Sequence, residues 1–349
     1  MRRILLVGAG HAHLAVLRSL SKEALYGARV TLVTPLARQV YSGMLPGVIA
    51  GHYRLEESLI DVEALCGKAY VEFVAGRVDA LDLPARRAKL DDGSQIDYDA
   101  ISLNPGSLVE RSLPGAERTL PVKPLDEFLA AIDGKRLSRV AIVGAGASGT
   151  ELAMALAHRG AAVTLYSDRP TLPGVAGEST ALALRRGRVD FRPGMAVSAV
   201  DEGPTIIAGP SRQDFDLVIL ATGSAAPAWL AASGLTVDGL GFGLVHDTLQ
   251  SVSHPEVFIS GDCATLRDAP HPRSGVYSVR HGESLAVNFR NLVGGRPLEP
   301  YVPQARALVL MSCGSRYAIA QRGGWTAEGA WVWRWKDWID RRWLKSLRR

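Results

Sequence analysis

Apolar and polar positions change period along the chain. Residues 3–7 (Arg-Ile-Leu-Leu-Val) form a short apolar run ending at a glycine. From His11 to Leu20 the apolar residues fall at helical spacing, and residues 28–33 return to a strand-like run. Strand, helix and strand in that order make a βαβ unit. The order recurs with strands at 139–143 and 161–166 around a helix from about Ala147 to His158. After the first unit, residues 71–103 carry short alternating runs around the turn Asp91-Asp92-Gly93-Ser94, which predicts an antiparallel insertion returning to a strand at 100–103. A matching passage follows the second unit, from Val189 to the strand at 217–220. Each half then closes in a glycine turn, Asn104-Pro105-Gly106-Ser107 and Ala221-Thr222-Gly223-Ser224. One further apolar run, Val257-Phe258-Ile259, precedes Ser260-Gly261-Asp262, and its expected home is the first sheet.

The turns between strand and helix carry the first chemistry. Gly8-Ala9-Gly10-His11-Ala12-His13 and Gly144-Ala145-Gly146-Ala147-Ser148-Gly149 both sit where a dinucleotide fingerprint needs glycines for the turn, the pyrophosphate and the helix packing. The helix N-terminus behind each turn offers free amides and partial positive charge to phosphates. In the first copy His13 replaces the third glycine, so an imidazole occupies space that a hydrogen would leave free, and the helix is expected to shift or repack. The expected fold is α/β, with two Rossmann-like dinucleotide-binding domains, the second inserted in the first, and a short C-terminal amphipathic helix segment. The expected domains are 1–112 with 245–300, then 113–244, then 301–349.

The length of 349 residues and 47% apolar content fit about two globular domains. No apolar stretch approaches the roughly 18 residues of a spanning helix. Three scattered cysteines, Cys66, Cys263 and Cys313, suit a reducing cytoplasm without structural disulfides. His11 and His13 lack the cysteine and carboxylate company of a metal site, so no metal is expected. Charge concentrates at the end: residues 334–349 hold seven Lys/Arg against two Asp, which accounts for the whole net charge of +5. Six of the seven tryptophans also lie between Trp325 and Trp343.

At the end of the second strand of each unit, where an acid would normally hold the ribose, stand Thr34 and Ser167. Asp168 and Arg169 follow Ser167, which leaves NADH and NADPH both open.

Taken with the motifs Tyr41-Ser42-Gly43-Met44-Leu45-Pro46-Gly47, Gly261-Asp262-Cys263-Ala264, Pro272-Arg273-Ser274-Gly275-Val276-Tyr277 and Trp333-Arg334-Trp335-Lys336-Asp337-Trp338, the chain resembles the flavoproteins with two dinucleotide-binding domains. The resemblance is to the branch of type II NADH dehydrogenases and sulfide:quinone reductases, and most closely to the FAD-dependent module found joined to selenophosphate synthetase. It implies FAD in the first unit, with Gly8, Gly10, His11 and His13 around the pyrophosphate, Thr34 at the ribose, Val78 by its backbone near the adenine and Asp262 on the ribityl chain beside Gly106 and Gly261. The segment of Ser42, Gly43, Met44 and Pro46 and the turn of Gly275, Val276 and Tyr277 would flank the isoalloxazine. NAD(P)H would lie in the second unit on Gly144, Gly146, Ser148 and Gly149, with Ser167, Asp168, Arg169 and Gly223 around it. Hydride could then pass between rings held in contact. Glu151 matches in position a glutamate near the nicotinamide–flavin stack, and its alternative reading is an acid placed well in a helix's first turn. Lys123 reads as a linker residue.

The chain departs from these relatives in two places. It has no Cys-x-x-Cys, which disfavours disulfide chemistry, and the quinone-binding glutamines of type II NADH dehydrogenases would fall at Val276 and Arg280. Arg280 and His281 would instead place positive charge near the flavin edge. In the tail, Trp331, Trp335, Trp338, Ile339, Arg342 and Trp343 recur along one side at helical spacing, with Arg334, Asp337, Arg341, Lys345 and Arg348 mostly elsewhere. A basic amphipathic helix rich in tryptophan is expected to lie in a bilayer interface, the other reading being that it packs on the flavin domain. No nucleic-acid recognition fold accompanies the basic tail. The expected activity is therefore an FAD oxidoreductase passing hydride from NAD(P)H to a quinone or similar acceptor, cytoplasmic and peripheral on the inner face of the membrane. A soluble flavoprotein reductase in selenium or sulfur metabolism and a flavin-binding regulatory protein are the other readings.

Overall fold

Both apolar runs that open a βαβ unit become the middle strands of five-stranded parallel sheets. In the computed structural model, which describes residues 1–172 and 177–348, the first sheet runs Val257–Ile259, Ala100–Leu103, Arg2–Val7, Ala28–Thr34, Glu72–Ala75. All four pairings are parallel. The second sheet runs Leu120–Pro121, Leu217–Leu220, Arg139–Val143, Ala162–Tyr166, Asp190–Arg192, again all parallel. Parallel strands are covered on both faces, which is why they read as continuous apolar runs rather than as alternation.

The helices His11–Leu20 and Ala147–His158 occupy the crossovers. Each unit also carries the antiparallel insertion expected of it: Val78–Asp82, Arg87–Leu90 and Gln95–Asp97 in the first, Ala199–Asp201, Thr205–Ala208 and Ser211–Asp214 in the second. Val257–Ile259 pairs with Ala100–Leu103, so the chain returns to the first sheet after building the second.

The crossing itself is a short antiparallel pair, Leu108–Val109 with Ser224–Ala225. Leu230 and Leu235 already pack in the first core, and Gly243–Val245 pairs with Ala264–Leu266. The return crossing therefore sits near residue 225, earlier than the expected 244, because the residues after it bury their apolar side chains under the first sheet.

The C-terminal segment is a three-stranded meander, Val309–Ser312, Ala318–Arg322 and Trp325–Gly329, followed by the helix Ala330–Arg348. Met311, Cys313 and Ile319 pack in the second core, while Leu344 and Leu347 pack in the first. This segment thus ties the two units together. No helix among the described residues is long and apolar enough to cross a membrane.

Candidate functional site

A cleft of about 350 Å³ opens at the carboxyl ends of the first sheet's strands, the place where open parallel sheets bind ligands. Of the residues expected to hold a dinucleotide there, Gly8, Gly10, His11, Thr34, Ser42, Val78, Gly106, Asp262 and Gly275 line it. The cleft runs from Val78 past the glycine turn to Asp262, and Gly106, at φ +83°, has nothing within 4 Å of where a side chain would begin. An open groove with a helix N-terminus at its middle and a carboxylate at one end suits FAD.

Gly43, Met44, Pro46, Gly261 and Val276 stand outside the cleft lining. Met44 and Gly261 are buried, the Gly43 carbonyl accepts a hydrogen bond from Lys336 Nζ (2.6 Å), and Val276 is exposed on the first turn of Gly275–Val293.

His13 faces away from the cleft. Its ring is fully buried, with Nδ1 donating to the Gly8 carbonyl (2.6 Å) and Nε2 accepting from the Ser102 hydroxyl (2.8 Å). In the second fingerprint the equivalent residue, Gly149, has no room for a side chain, because a Cβ there would land on the Gly144 carbonyl. The two copies solve one contact differently: the second packs Cα on the turn carbonyl, and the first hydrogen-bonds that carbonyl through an imidazole. The altered glycine is therefore accommodated inside the fold, and the His13 side chain is not part of the cleft lining. His11 and His13 accordingly diverge, His11 lying against Tyr41 with ring centroids 5.6 Å apart.

Burial holds His13 near pKa 4, and burial, helped by neighbouring His271, holds His281 near 3. Both lie below the ordinary value of 6.5. Below that value an unfolded chain takes up protons that the folded one refuses, so stability is full above pH 6.5 and is lost as pH falls toward 4. The loss is about 1.4 kcal/mol per pH unit for each group. The thermal midpoint is expected to drop between pH 6.5 and about 4.5, above the range of ordinary carboxylates, and less steeply in His13→Gln; a midpoint flat across that window would refute the assignment.

The second fingerprint presents an open helix end. Ala147 and Ser148 are exposed, no protein acceptor meets the amides of Ala147, Ser148 or Gly149 among the described residues, and nothing stands within 4 Å of a Cβ built on Gly146 or Gly223. Free first-turn amides beside an unobstructed glycine backbone fit a pyrophosphate. At the ribose end Ser167 is buried and its hydroxyl accepts from the Arg169 amide (3.1 Å), whereas Asp168 and Arg169 are exposed.

The three residues expected to act in catalysis separate. Glu151 is the fifth residue of the second fingerprint helix, past the first turn expected for a favourably placed acid, and its Oε1 accepts from the Ser312 amide (2.7 Å). Burial pushes its carboxyl above the usual range, against the pull of Lys336. Tyr277 is buried outside the cleft lining, its ring stacked on His271 at 4.3 Å. Arg280 is on solvent, 62% exposed and 3.5 Å from Glu283. On the first turns of Gly275–Val293, Gly275 and Ser278 line the cleft and Arg280 does not.

His281 is also turned inward. Its Nδ1 accepts the Gly261 amide (3.0 Å), and its Nε2 meets His271 Nε2 (2.9 Å).

Besides Asp262, the cleft is approached by polar groups that the pattern did not assign to it. Lys123, read as a linker residue, lines the first cleft, donates to Ser107 Oγ (2.9 Å) and lies 3.4 Å from Asp262 Oδ2. Asn104 fixes the first glycine turn, its Oδ1 accepting the Ala12 and His13 amides (3.2 and 3.3 Å) and its Nδ2 donating to the Ser260 carbonyl (2.7 Å). The only sequence signal for it was its place in a glycine turn.

The C-terminal helix buries Val332, Lys336, Asp340, Leu344 and Leu347. Lys336 pairs with Asp340 (2.7 Å), and Tyr41 donates to Asp340 (3.1 Å). The inner face of the helix is thus bonded to the loop that begins at Tyr41. Trp331 and Trp338 stay 51% and 55% exposed, Trp331 stacks on Trp335, and Arg342 lies over Trp338. Trp343 instead packs partly into the first core with Arg18 over its ring.

Two parallel-sheet units, each ending a glycine turn at a helix N-terminus, with a carboxylate at the far end of the first cleft, define the class of FAD-dependent pyridine nucleotide oxidoreductases. Residues 2–282 match the pyridine nucleotide-disulphide oxidoreductase family, and the chain belongs to it. It is 35% identical over 200 residues to the nitric oxide reductase FlRd-NAD(+) reductase of Aeromonas salmonicida, covering 53% of this chain and half of that relative. With the type II NADH:quinone oxidoreductase of Staphylococcus saprophyticus it shares 23% identity over 352 residues, covering 86% of this chain and 85% of the other. The fold matches the sulfide:quinone oxidoreductase of Aquifex aeolicus with a TM-score of 0.82 at 16% identity, over all of this chain and 92% of that one.

Proposed function

We propose that the chain oxidises NAD(P)H at the second site, holds FAD in the first cleft, and delivers two electrons to a quinone at a membrane surface. FAD, when bound, supplies the hydride acceptor; the protein's part is to hold both dinucleotides in register and to exclude water from the contact. The observation that carries the acceptor half is the C-terminal helix. One face is tied through Lys336 and Asp340 to the loop at Gly43 and Tyr41, and the opposite side presents Trp331 and Trp338 with Arg342 and Lys345, while Trp335 stacks on Trp331 and packs partly against the meander. A basic, tryptophan-bearing face suits the headgroup layer, where each Lys or Arg adds about 1 kcal/mol on an anionic surface. Glu151, whose carboxyl burial pushes above the usual carboxylate range, stands where the second unit meets the C-terminal segment through the Ser312 amide.

All three cysteines are buried, and burial pushes each thiol up to about 12. A thiol so held is a poor nucleophile, which favours a quinone over a disulfide acceptor.

The test uses vesicles containing anionic lipid and a membrane-embedded quinone. The full chain should sediment with them and reduce the quinone. Replacing Trp331, Trp335 and Trp338 by alanine should abolish sedimentation and reduce that rate at least about tenfold, while reduction of a water-soluble quinone analogue stays unchanged. Unaltered sedimentation would contradict the membrane role, and no reduction of either quinone by the parent chain would contradict the acceptor.

A further inference from the structure

Two histidines stand behind the turn that brings Asp262 to the first cleft, and neither lines the cleft itself. His281, on the helix Gly275–Val293, is fully buried, whereas His271, in the loop before that helix, is half-buried. Their Nε2 atoms lie 2.9 Å apart. The bonds at either end of the pair fix where the protons sit. His281 Nδ1 accepts the Gly261 amide (3.0 Å), so it presents a lone pair, and the neutral ring holds its proton on Nε2. That proton is donated to His271 Nε2, and His271 keeps its own proton on Nδ1 for the Pro272 carbonyl (3.0 Å). Tyr277 stacks on His271 at 4.3 Å and Tyr301 stands edge-on to His281 at 4.7 Å, which clamps both rings in these orientations.

This row of bonds has room for one proton on each ring. A further proton from solvent would enter at His271 Nε2 and set two N–H donors face to face. His281 could answer only by carrying its proton on Nδ1 instead, where it would meet the Gly261 N–H. One bond of the row is lost either way. Burial, opposed by the Pro272 carbonyl, lowers His271 from the ordinary value of 6.5, with Arg273 adding to the lowering and Asp262 countering it. Burial, then His271, holds His281 lower still, near 3, so the added proton goes to His271. Arg280, on the same helix as His281, lies within reach of Tyr301.

The bond at stake holds the turn of Ser260, Gly261 and Asp262, which is pinned from two sides. Asn104 Nδ2 donates to the Ser260 carbonyl (2.7 Å), and the His281 ring takes the Gly261 amide. Gly261 has φ +68°, and a Cβ built on it would strike Asn104 Nδ2, so the turn is closely confined while both bonds stand. Of the two anchors only the imidazole can take up a proton.

We propose that His281 is a positioning residue for Asp262 and that His271 makes this positioning depend on protons, so that the first cleft holds its dinucleotide less tightly once His271 is charged. The assignment rests on that cleft being the FAD site. Affinity is then full where both rings are neutral and falls as pH drops below 6.5 through the titration of His271.

FAD release from the full chain, followed by flavin fluorescence on serial dilution, tests this at about pH 7.5 and about pH 5, on either side of the ordinary histidine range. Circular dichroism at both values checks that the chain stays folded. The parent's FAD dissociation constant should rise about tenfold toward the lower pH, the size of one lost hydrogen bond. In His271→Gln the amide carbonyl can accept the His281 Nε2 proton but cannot titrate, so the constant should change by less than about twofold. His281→Gln, whose carbonyl can accept the Gly261 amide, should give the same flat profile and serves should His271→Gln fail to fold. A pH effect from any other group at the cleft would persist in both variants. A parent constant steady within about twofold, or an equal rise in parent and variants, would overturn the proposal. A parent chain that binds no FAD at the higher pH would instead overturn the assignment of the cleft.

Discussion

Gly149→Val is expected to weaken binding of the nicotinamide nucleotide by about 100-fold while leaving bound FAD in place. A side chain at residue 149 has to occupy the position of the Gly144 carbonyl and the edge of Ala221. The helix Ala147–His158 must therefore lift from its strand and carry the free amides of residues 147–149 out of reach of a phosphate. Overpacking of this kind costs about 1–3 kcal/mol, and about 2.7 kcal/mol corresponds to the stated factor. Titration with NADH and NADPH, with flavin absorbance as the control for the first site, measures both arms. The first copy escapes this penalty because the His13 ring bonds the Gly8 carbonyl and Ser102 instead of displacing them. Unchanged nucleotide affinity in Gly149→Val would mean that the second glycine turn is not the nicotinamide site.

Lys336→Met is expected to destabilise the protein by about 3–5 kcal/mol, the usual cost of breaking a buried pair from one side. Both partners are nearly enclosed, with side chains 11% and 8% exposed. Removing the ammonium leaves the Asp340 carboxylate buried with only the Tyr41 hydroxyl as donor, and it frees the Gly43 carbonyl. Burial already pushes Asp340 above the ordinary carboxylate range against the opposing effect of Lys336, so the loss should be largest above neutral pH. The urea midpoint measures it, and Lys336→Met combined with Asp340→Leu should recover most of the deficit. A single variant within 1 kcal/mol of the parent would show that the pair does not hold the helix.

The two βαβ units were legible because strands covered on both faces must be apolar throughout and because glycine has to stand where the strand turns into a helix. The periodicity therefore marked His11–Leu20 and Ala147–His158 at their observed ends. It marked the tail less well. The spacing puts Trp331, Trp335, Trp338 and Trp343 on one side, yet the buried face follows Val332, Lys336, Asp340, Leu344 and Leu347, with a lysine and an aspartate inside. Those charges are tolerated because their partners, Gly43 and Tyr41, come from a loop nearly the whole chain away, a distance over which periodicity carries no information. The same limit hid Lys123, whose place depends on an outer strand of the second sheet facing the first cleft, and Asn104, whose amide bridges a helix and a later turn. Arg280 and Tyr277 lie outside the cleft lining for a local reason: helical phase at Gly275–Val293 turns Gly275 and Ser278 toward the cleft and those two away.

Anaerobic titration of the FAD-loaded full chain with NADH, and separately with NADPH, tests the central claim most directly. Bleaching of the flavin band, complete at one equivalent of at least one of the two nucleotides, is the predicted result. A flavin band unchanged by either nucleotide would contradict the assignment of two communicating dinucleotide sites.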